Sequence, residues 1–318
     1  MQVKDYAEGQ NYIAYNADCV EVARDMDNDS VDHIIYSPPF SSLYTYSNDE
    51  RDMGNSGSDG EFFRHFGFLV SEMYRVLRPG RLMAVHCMNL PTSKQNDGFI
   101  GIKDFRGDLI RCFQDAGFIN HSEVCIWKDP VVAMQRTKAL GLLHKQIKKD
   151  SSLSRMGIPD YLVVMRKPGD NEKPVSGEFT YYVGEDPHPG FQRHLRADGS
   201  LVWFPSGDST SIDVWQRYAS PVWDDIRQSR TLQYQNARAS DDERHICPLQ
   251  LDVIERALQL WSNPGDVVFS PFMGIGSEGY VAVQTGRKFI GVELKESYFA
   301  LARRNLDEAE NVVQEELF

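Results

Sequence analysis

Cysteine is scarce in this 318-residue sequence, and the five present (Cys19, Cys87, Cys112, Cys125 and Cys247) are scattered, odd in number and free of any Cys-x-x-Cys pair. That argues against a disulfide-stapled fold and against structural zinc. No metal is expected, and the thiols read as those of a reduced, cytoplasmic protein. Long apolar runs are also missing. No stretch reaches the roughly 18 residues that span a bilayer, and the first residues lack a basic-then-apolar export pattern, so no membrane partner is expected. Positive charge is in deficit: 34 Lys and Arg face 46 Asp and Glu, a net charge of −12. This argues against a nonspecific coat for nucleic acid. It leaves room for a local basic cleft, because a handful of well-placed cations suffices for phosphate contact. The length suits one large α/β domain with an inserted module, or two domains.

Two stretches stand out against that ordinary background. The first is Ser37-Pro38-Pro39-Phe40, which follows the apolar run Asp32-His33-Ile34-Ile35-Tyr36. The run reads as a short buried strand. Two consecutive prolines fix φ and remove two backbone donors, so the tetrapeptide cannot pair as a central strand. It presents a small hydroxyl, two carbonyls in set directions and an aromatic face. Those groups suit a flat, hydrogen-bond-donating ligand such as a nucleobase amine, and they equally suit a plain Pro-Pro turn closed by a packed Phe.

The second is Val267-Val268-Phe269-Ser270-Pro271-Phe272-Met273-Gly274-Ile275-Gly276-Ser277. It reads as a strand entering a glycine-rich turn. A helix over 278–285 follows, then a strand, Lys288-Phe289-Ile290-Gly291-Val292-Glu293. In such a βαβ unit the first turn lets a ligand approach the backbone, and the carboxylate ending the second strand is placed for ribose hydroxyls. A nicotinamide enzyme is disfavoured, since Pro-Pro-Phe has no role there.

Together these residues resemble the amino-methyltransferases of DNA. Ser37-Pro38-Pro39-Phe40 is similar to that family's catalytic tetrapeptide, and Phe272-x-Gly274-x-Gly276 to its cofactor loop. The catalytic motif comes first, which resembles the permuted beta class. One departure is Ser270, where the family usually carries Asp. The resemblance implies a Rossmann-like sheet, circularly permuted, with S-adenosylmethionine as cofactor and double-stranded DNA as partner. It implies a catalytic half over 1–167, a target-recognition module over 168–243 and a cofactor half over 244–318. It also carries roles: Ser37, Pro38, Pro39 and Phe40 catalytic; Asp18, His245, Phe272, Gly274, Gly276, Ser277 and Glu293 beside the cofactor. Asp18 reads equally as a helix cap, and His245 belongs to a His-Pro element of altered spacing. A catalytically silent DNA-binding relative, a homodimer and a restriction endonuclease partner are all compatible with the resemblance.

The target would be an exocyclic amine. No cysteine follows a proline near residue 40, which argues against methylation of ring carbon. Serine at the first position is similar to the cytosine-N4 enzymes, whereas Asp and Asn go mostly with adenine-N6, so cytosine is the expectation and adenine the alternative. A serine hydroxyl can also donate, for example toward a pyrimidine ring nitrogen.

Elsewhere, 41–60 is polar, aperiodic and long enough to read as a flap over substrate. Residues 61–77 have an amphipathic helical pattern. His86, at the end of the strand 81–87, reads as a satisfied strand-end residue. Trp127 resembles a position near the target base. Arg136, Lys138, Lys145, Lys148 and Lys149 lie in a run without acids, which is either a phosphate contact or a solvated face. The module 168–243 interleaves aromatic and basic side chains suited to bases, or to the core of a small irregular domain.

Overall fold

The computed structural model describes residues 3–40, 49, 51–92, 97–137, 139–185, 193–195, 201–203, 211–233 and 248–316. Its strands are β1 (Val3–Glu8), β2 (Tyr12–Ala17), β3 (Val31–Tyr36), β4 (Leu77–Met88), β5 (Leu90–Pro91), β6 (Ile102–Lys103), β7 (Ile119–Ile126), β8 (Asp160–Arg166), β9 (Arg193–Leu195), β10 (Leu201–Trp203), β11 (Val222–Trp223), β12 (Val267–Ser270) and β13 (Lys288–Glu293). Nine of them form one sheet in the order β1-β2-β13-β12-β3-β4-β8-β7-β11, while β5 pairs β6 and β9 pairs β10 apart from it. The helices are α1 (Cys19–Asp25), α2 (Asp59–Val76), α3 (Phe105–Asp115), α4 (Pro130–Thr137), α5 (His144–Lys149), α6 (Ser211–Tyr218), α7 (Leu251–Trp261), α8 (Ser277–Gln284) and α9 (Glu296–Glu316).

The sheet is mostly parallel, because β2, β13, β12, β3 and β4 all run the same way. Its centre is buried on both faces: all six residues of β3 are inaccessible, polar Asp32 and His33 included. This is why the strand reads as an apolar run without alternation. The permuted order is visible in the pairing. The late strand β13 lies parallel to the early strand β2, with Phe289 opposite Tyr12 and Glu293 opposite Asn16. The other late strand, β12, lies beside β3. The two singled-out turns therefore leave the carboxyl ends of adjacent strands, the edge at which open α/β sheets bind ligands.

Antiparallel β8 reverses the direction between β4 and β7. The carboxyl end of β7 and the amino end of β8 thus share that same edge, and so does the 127–159 connection between them.

Three elements differ from the sequence expectation. Strand β1 is exposed along most of its length, with Ala7 its one buried residue, so it carries no period-2 signal and is held by pairing with β2. Helix α9 continues through the acidic end of the sequence to Glu316, where the composition alone suggests a frayed tail. Its carboxylates are anchors: Asp307 accepts from the Tyr12 hydroxyl at 2.5 Å, and Glu310 accepts the backbone N–H groups of Gln10 and Asn11. The stretch 51–58 is packed. Met53 and Gly54 are buried in a helical turn capped by Asp52, and α2 starts behind it at Asp59.

Candidate active site

Strand β3 ends at Tyr36, and the two prolines end its pairing. Ser37, Pro38, Pro39 and Phe40 then form one wall of a cleft. The opposite wall is the turn after β12, with Phe272, Gly274 and Ser277. Asp18 closes the cleft beyond β2 and Glu293 beyond β13. The structure thus brings together most of the residues singled out from sequence.

The glycine turn shows why its residue types are needed. Gly274 has φ of +54°, and a Cβ there would meet nothing within 4 Å. The left-handed backbone requires glycine, and the open space beside it is room for a ligand. Gly276 does not line the cleft. It also has positive φ, and its missing Cβ lets the turn sit against Ala302 of α9, where an added Cβ would lie at 3.3 Å. The Met273 N–H donates to Val292 O at 3.0 Å, which ties the turn to β13.

Glu293 is fixed from both sides. The Asn16 side-chain amide donates to the carbonyls of Glu293 and Leu294, at 2.7 and 3.0 Å. The Glu293 carboxylate accepts the Lys295 N–H at 2.7 Å. Burial pushes its pKa up to about 7, against the lowering effect of the Lys295 and Gly274 backbone N–H groups. Glu278 lines the same cleft, and burial pushes it up to about 8. It stands next to Ser277 on the first turn of α8, and no motif pointed to it. Asp18 caps α1, accepting the Glu21 N–H at 3.0 Å, while also lining the cleft. Its two readings are therefore compatible.

These groups fit S-adenosylmethionine. Ala17, Phe272, Met273 and Leu249 would supply apolar surface for a purine, Glu293 an acceptor for ribose hydroxyls, and Gly274 the close backbone approach. Phe40 packs on Phe105 with centroids 6.3 Å apart and stays half-buried at the cleft.

Ser37 has a partner that the sequence did not suggest. Its Oγ lies 3.0 Å from His86 Nδ1. His86 Nε2 in turn lies 3.1 Å from Asp160 Oδ2, and Lys128 donates to Asp160 Oδ1 at 2.6 Å. Burial raises the Asp160 pKa, but the His86 ring and the Lys128 ammonium more than offset it and hold the carboxyl below its ordinary range.

The remaining candidates fall elsewhere. Lys145, Lys148 and Lys149 are exposed on α5, within the connection between β7 and β8, and among the described residues they make no ion pair. Arg136 is in α4. Lys138 and His245 lie outside the described residues, as do Tyr44 and Tyr46 of the expected flap. Trp127 is half-exposed, its backbone N–H donating to Trp223 O at 3.0 Å.

Several residues of the 168–243 stretch are internal. Trp223 and Tyr218 are buried, and β11 pairs β7 in the main sheet. Arg227 and Arg230 both bond fully buried Asp252 of α7. Among the described residues no helix is long and apolar enough to cross a membrane, and no three metal-ligating side chains cluster.

The chain is similar to several known proteins. Type II methyltransferase M.BglII of Bacillus subtilis is 23% identical over 292 residues, covering 91% of this chain and 67% of that protein. DNA adenine methyltransferase YhdJ of Escherichia coli K12 is 36% identical over 104 residues, 32% of each chain. Among solved structures, the cytosine-N4-specific PvuII DNA methyltransferase superposes with a TM-score of 0.58 at 14% identity, covering 99% of this chain and 97% of that one. TTHA0409 of Thermus thermophilus, complexed with S-adenosyl-L-methionine, superposes with a TM-score of 0.59 at 20% identity, covering 92% and 93%. These two likenesses establish the shared sheet. A DNA methylase family profile matches residues 31–304, a span that runs from β3 through both walls of the cleft into α9, and on that match the chain belongs to the family of DNA N6 and N4 methylases.

Proposed function

We propose that this protein moves a methyl group from S-adenosylmethionine to the exocyclic amine of a base in double-stranded DNA, with cytosine N4 as the first reading. The observation that carries the proposal is the convergence of Ser37-Pro38-Pro39-Phe40 and the Gly274 turn on one cleft, from the ends of adjacent strands. Bound there, S-adenosylmethionine supplies an electrophilic methyl carbon on a sulfonium. The protein's own part is to hold the amine. Its lone pair is conjugated with the ring, so it attacks poorly until its hydrogens are held. Ser37 Oγ and the Pro38 carbonyl accept those hydrogens and draw the nitrogen toward tetrahedral geometry. Such preorganised acceptors favour the charge that develops on nitrogen. Phe40 offers a face to the base, which must leave the duplex at a cost of roughly a few kcal/mol.

Serine at position 37 supports cytosine through the resemblance given above. A specific observation favours adenine as the second reading: the 104-residue match is to an enzyme that acts on adenine. We assign phosphate contact to Arg136, Lys138, Lys145, Lys148 and Lys149, and base recognition to 168–243. The test is transfer of labelled methyl groups to DNA, followed by digestion and nucleoside mass analysis. N4-methylcytosine is the expected product. N6-methyladenine alone would replace the base assignment, and no methylated base at all would overturn the activity.

A further inference from the structure

The hydroxyl of a catalytic serine faces two options when an amine arrives. It can accept an amine hydrogen, which sharpens the nucleophile, or donate to the nitrogen, which ties up the lone pair that must attack. Nothing in the tetrapeptide chooses between them. The residues behind it do.

Ser37 and His86 are neighbours by register, since β3 and β4 are parallel with Tyr36 opposite Val85. The imidazole is nearly inaccessible, and its Nδ1 lies 3.0 Å from Ser37 Oγ. On its other side Nε2 faces the carboxylate of Asp160, the first residue of β8, at 3.1 Å. At that distance the carboxylate acts on the ring through its charge. A buried carboxylate at this distance favours a hydrogen on Nε2 and repels a lone pair there, and this sets the tautomer. Lys128 holds the other carboxylate oxygen at 2.6 Å, so Asp160 keeps its charge and place. In the neutral ring Nδ1 then carries the lone pair. The Ser37 hydroxyl donates to it, and both oxygen lone pairs are left for the cleft.

We infer that His86, oriented by Asp160, is a positioning residue that makes Ser37 an acceptor, and an acceptor only, for the target amine. The inference rests on the role proposed above for Ser37. It has one consequence for base choice. The hydroxyl hydrogen is unavailable to a pyrimidine ring nitrogen, so a preference for cytosine does not arise from donation by Ser37.

The test is single-turnover methyl transfer to a DNA duplex, with cofactor affinity measured beside it. Four variants serve: Ser37→Ala, His86→Leu, the double variant, and His86→Asn, whose side-chain oxygen can accept near the position of Nδ1. Ser37→Ala and His86→Leu should each slow transfer on the order of 100-fold, with cofactor affinity held. The double variant should be no slower than Ser37→Ala, because the histidine acts through the serine alone. His86→Asn should recover at least about tenfold over His86→Leu, as restoring an acceptor requires. Losses that multiply in the double variant, or a His86→Leu enzyme at the unaltered rate, would overturn the role of His86 while leaving the methylase reading intact. If His86→Leu loses its fold, His86→Asn decides: a rate as low as that of Ser37→Ala overturns the inference, and a rate within about tenfold of the unaltered enzyme supports it. Absence of transfer by the unaltered chain would overturn both the function and the inference.

Discussion

At the scale of residues, the cleft's carboxylates set an expectation that a motif cannot. Burial raises Glu293 to about 7. Only the ionised form accepts well from two ribose hydroxyls. Affinity for S-adenosylmethionine should therefore fall as pH drops through 7, by roughly tenfold between pH 8 and pH 6 for one linked proton. Glu278, raised to about 8, titrates in an overlapping window, so the variant Glu293→Gln separates the two. It should weaken binding at pH 8 by about 1.5–3 kcal/mol and leave only the slope due to Glu278. Calorimetry at three pH values measures both, and an affinity in Glu293→Gln equal to that of the unaltered protein would remove this carboxylate from the ribose. Glu293 was legible because it ends a strand in a short, ordered pattern. His86 and Asp160 were not. Ser37 and His86 are 49 positions apart, and only the pairing of β3, β4 and β8 places the three side chains in line. A histidine on an apolar strand has no local mark that tells a positioning group from a packed one. His33 shows the alternative on the neighbouring strand: it is buried without a hydrogen bond for either ring nitrogen among the described residues, and burial and Arg81 lower it to about 3.

At the scale of elements, the central strands are tied at the edge opposite the cleft. Arg81 of β4 donates to the carbonyl of Asp32 in β3 at 2.8 Å and pairs with Asp266, just before β12. Asp32 in turn accepts the Val267 N–H at 2.9 Å. All three side chains are buried. Arg81→Ala would leave Asp266 charged and unpaired in the interior, so it should destabilise by about 3–5 kcal/mol. Urea unfolding measures this, and a loss below about 1 kcal/mol, the scale of an exposed pair, would show that water reaches the site. The strands themselves were readable, since β3, β12 and β13 are apolar runs bounded by turn residues. Their adjacency could be drawn only through the permutation that the two motifs implied. Elements with mixed composition were the ones misplaced. Strand β1 has polar residues on both faces, and the acidic end of α9 looks like a solvated tail until Glu310 is seen capping the β1–β2 turn. Within 168–243, Arg227 and Arg230 are engaged by Asp252, a buried acid on a helix otherwise rich in apolar residues, and no local pattern marks that pairing.

At the scale of the whole molecule, the proposed function asks an acidic protein with a net charge of −12 to bind a polyanion. Averaged over its surface the field is repulsive, so attraction must come from cations gathered where the DNA lies. The topology gathers some of them. The 127–159 connection leaves the carboxyl end of β7 and enters β8 at the edge that carries Ser37, and within it α5 exposes Lys145, Lys148 and Lys149. None of the three pairs with an acid among the described residues, so their charge is free to displace counterions. Exposed lysines elsewhere would add little, since screening limits their reach to roughly 10 Å at 0.1 M salt. Replacing all three with alanine should weaken binding to every DNA sequence alike. It should also flatten the slope of log K against log salt by about 0.9 for each phosphate no longer neutralised, or about 2.7 if all three touch phosphate. Cofactor affinity should not change, because no lysine of α5 lines the cleft. Titrations of a labelled duplex at several salt concentrations read the slope directly. A slope equal to that of the unaltered protein would return α5 to an ordinary solvated face and shift the phosphate contacts to the basic residues of 168–243. A loss confined to one DNA sequence would instead make these lysines readers of bases, which their flexible point charges do not suit.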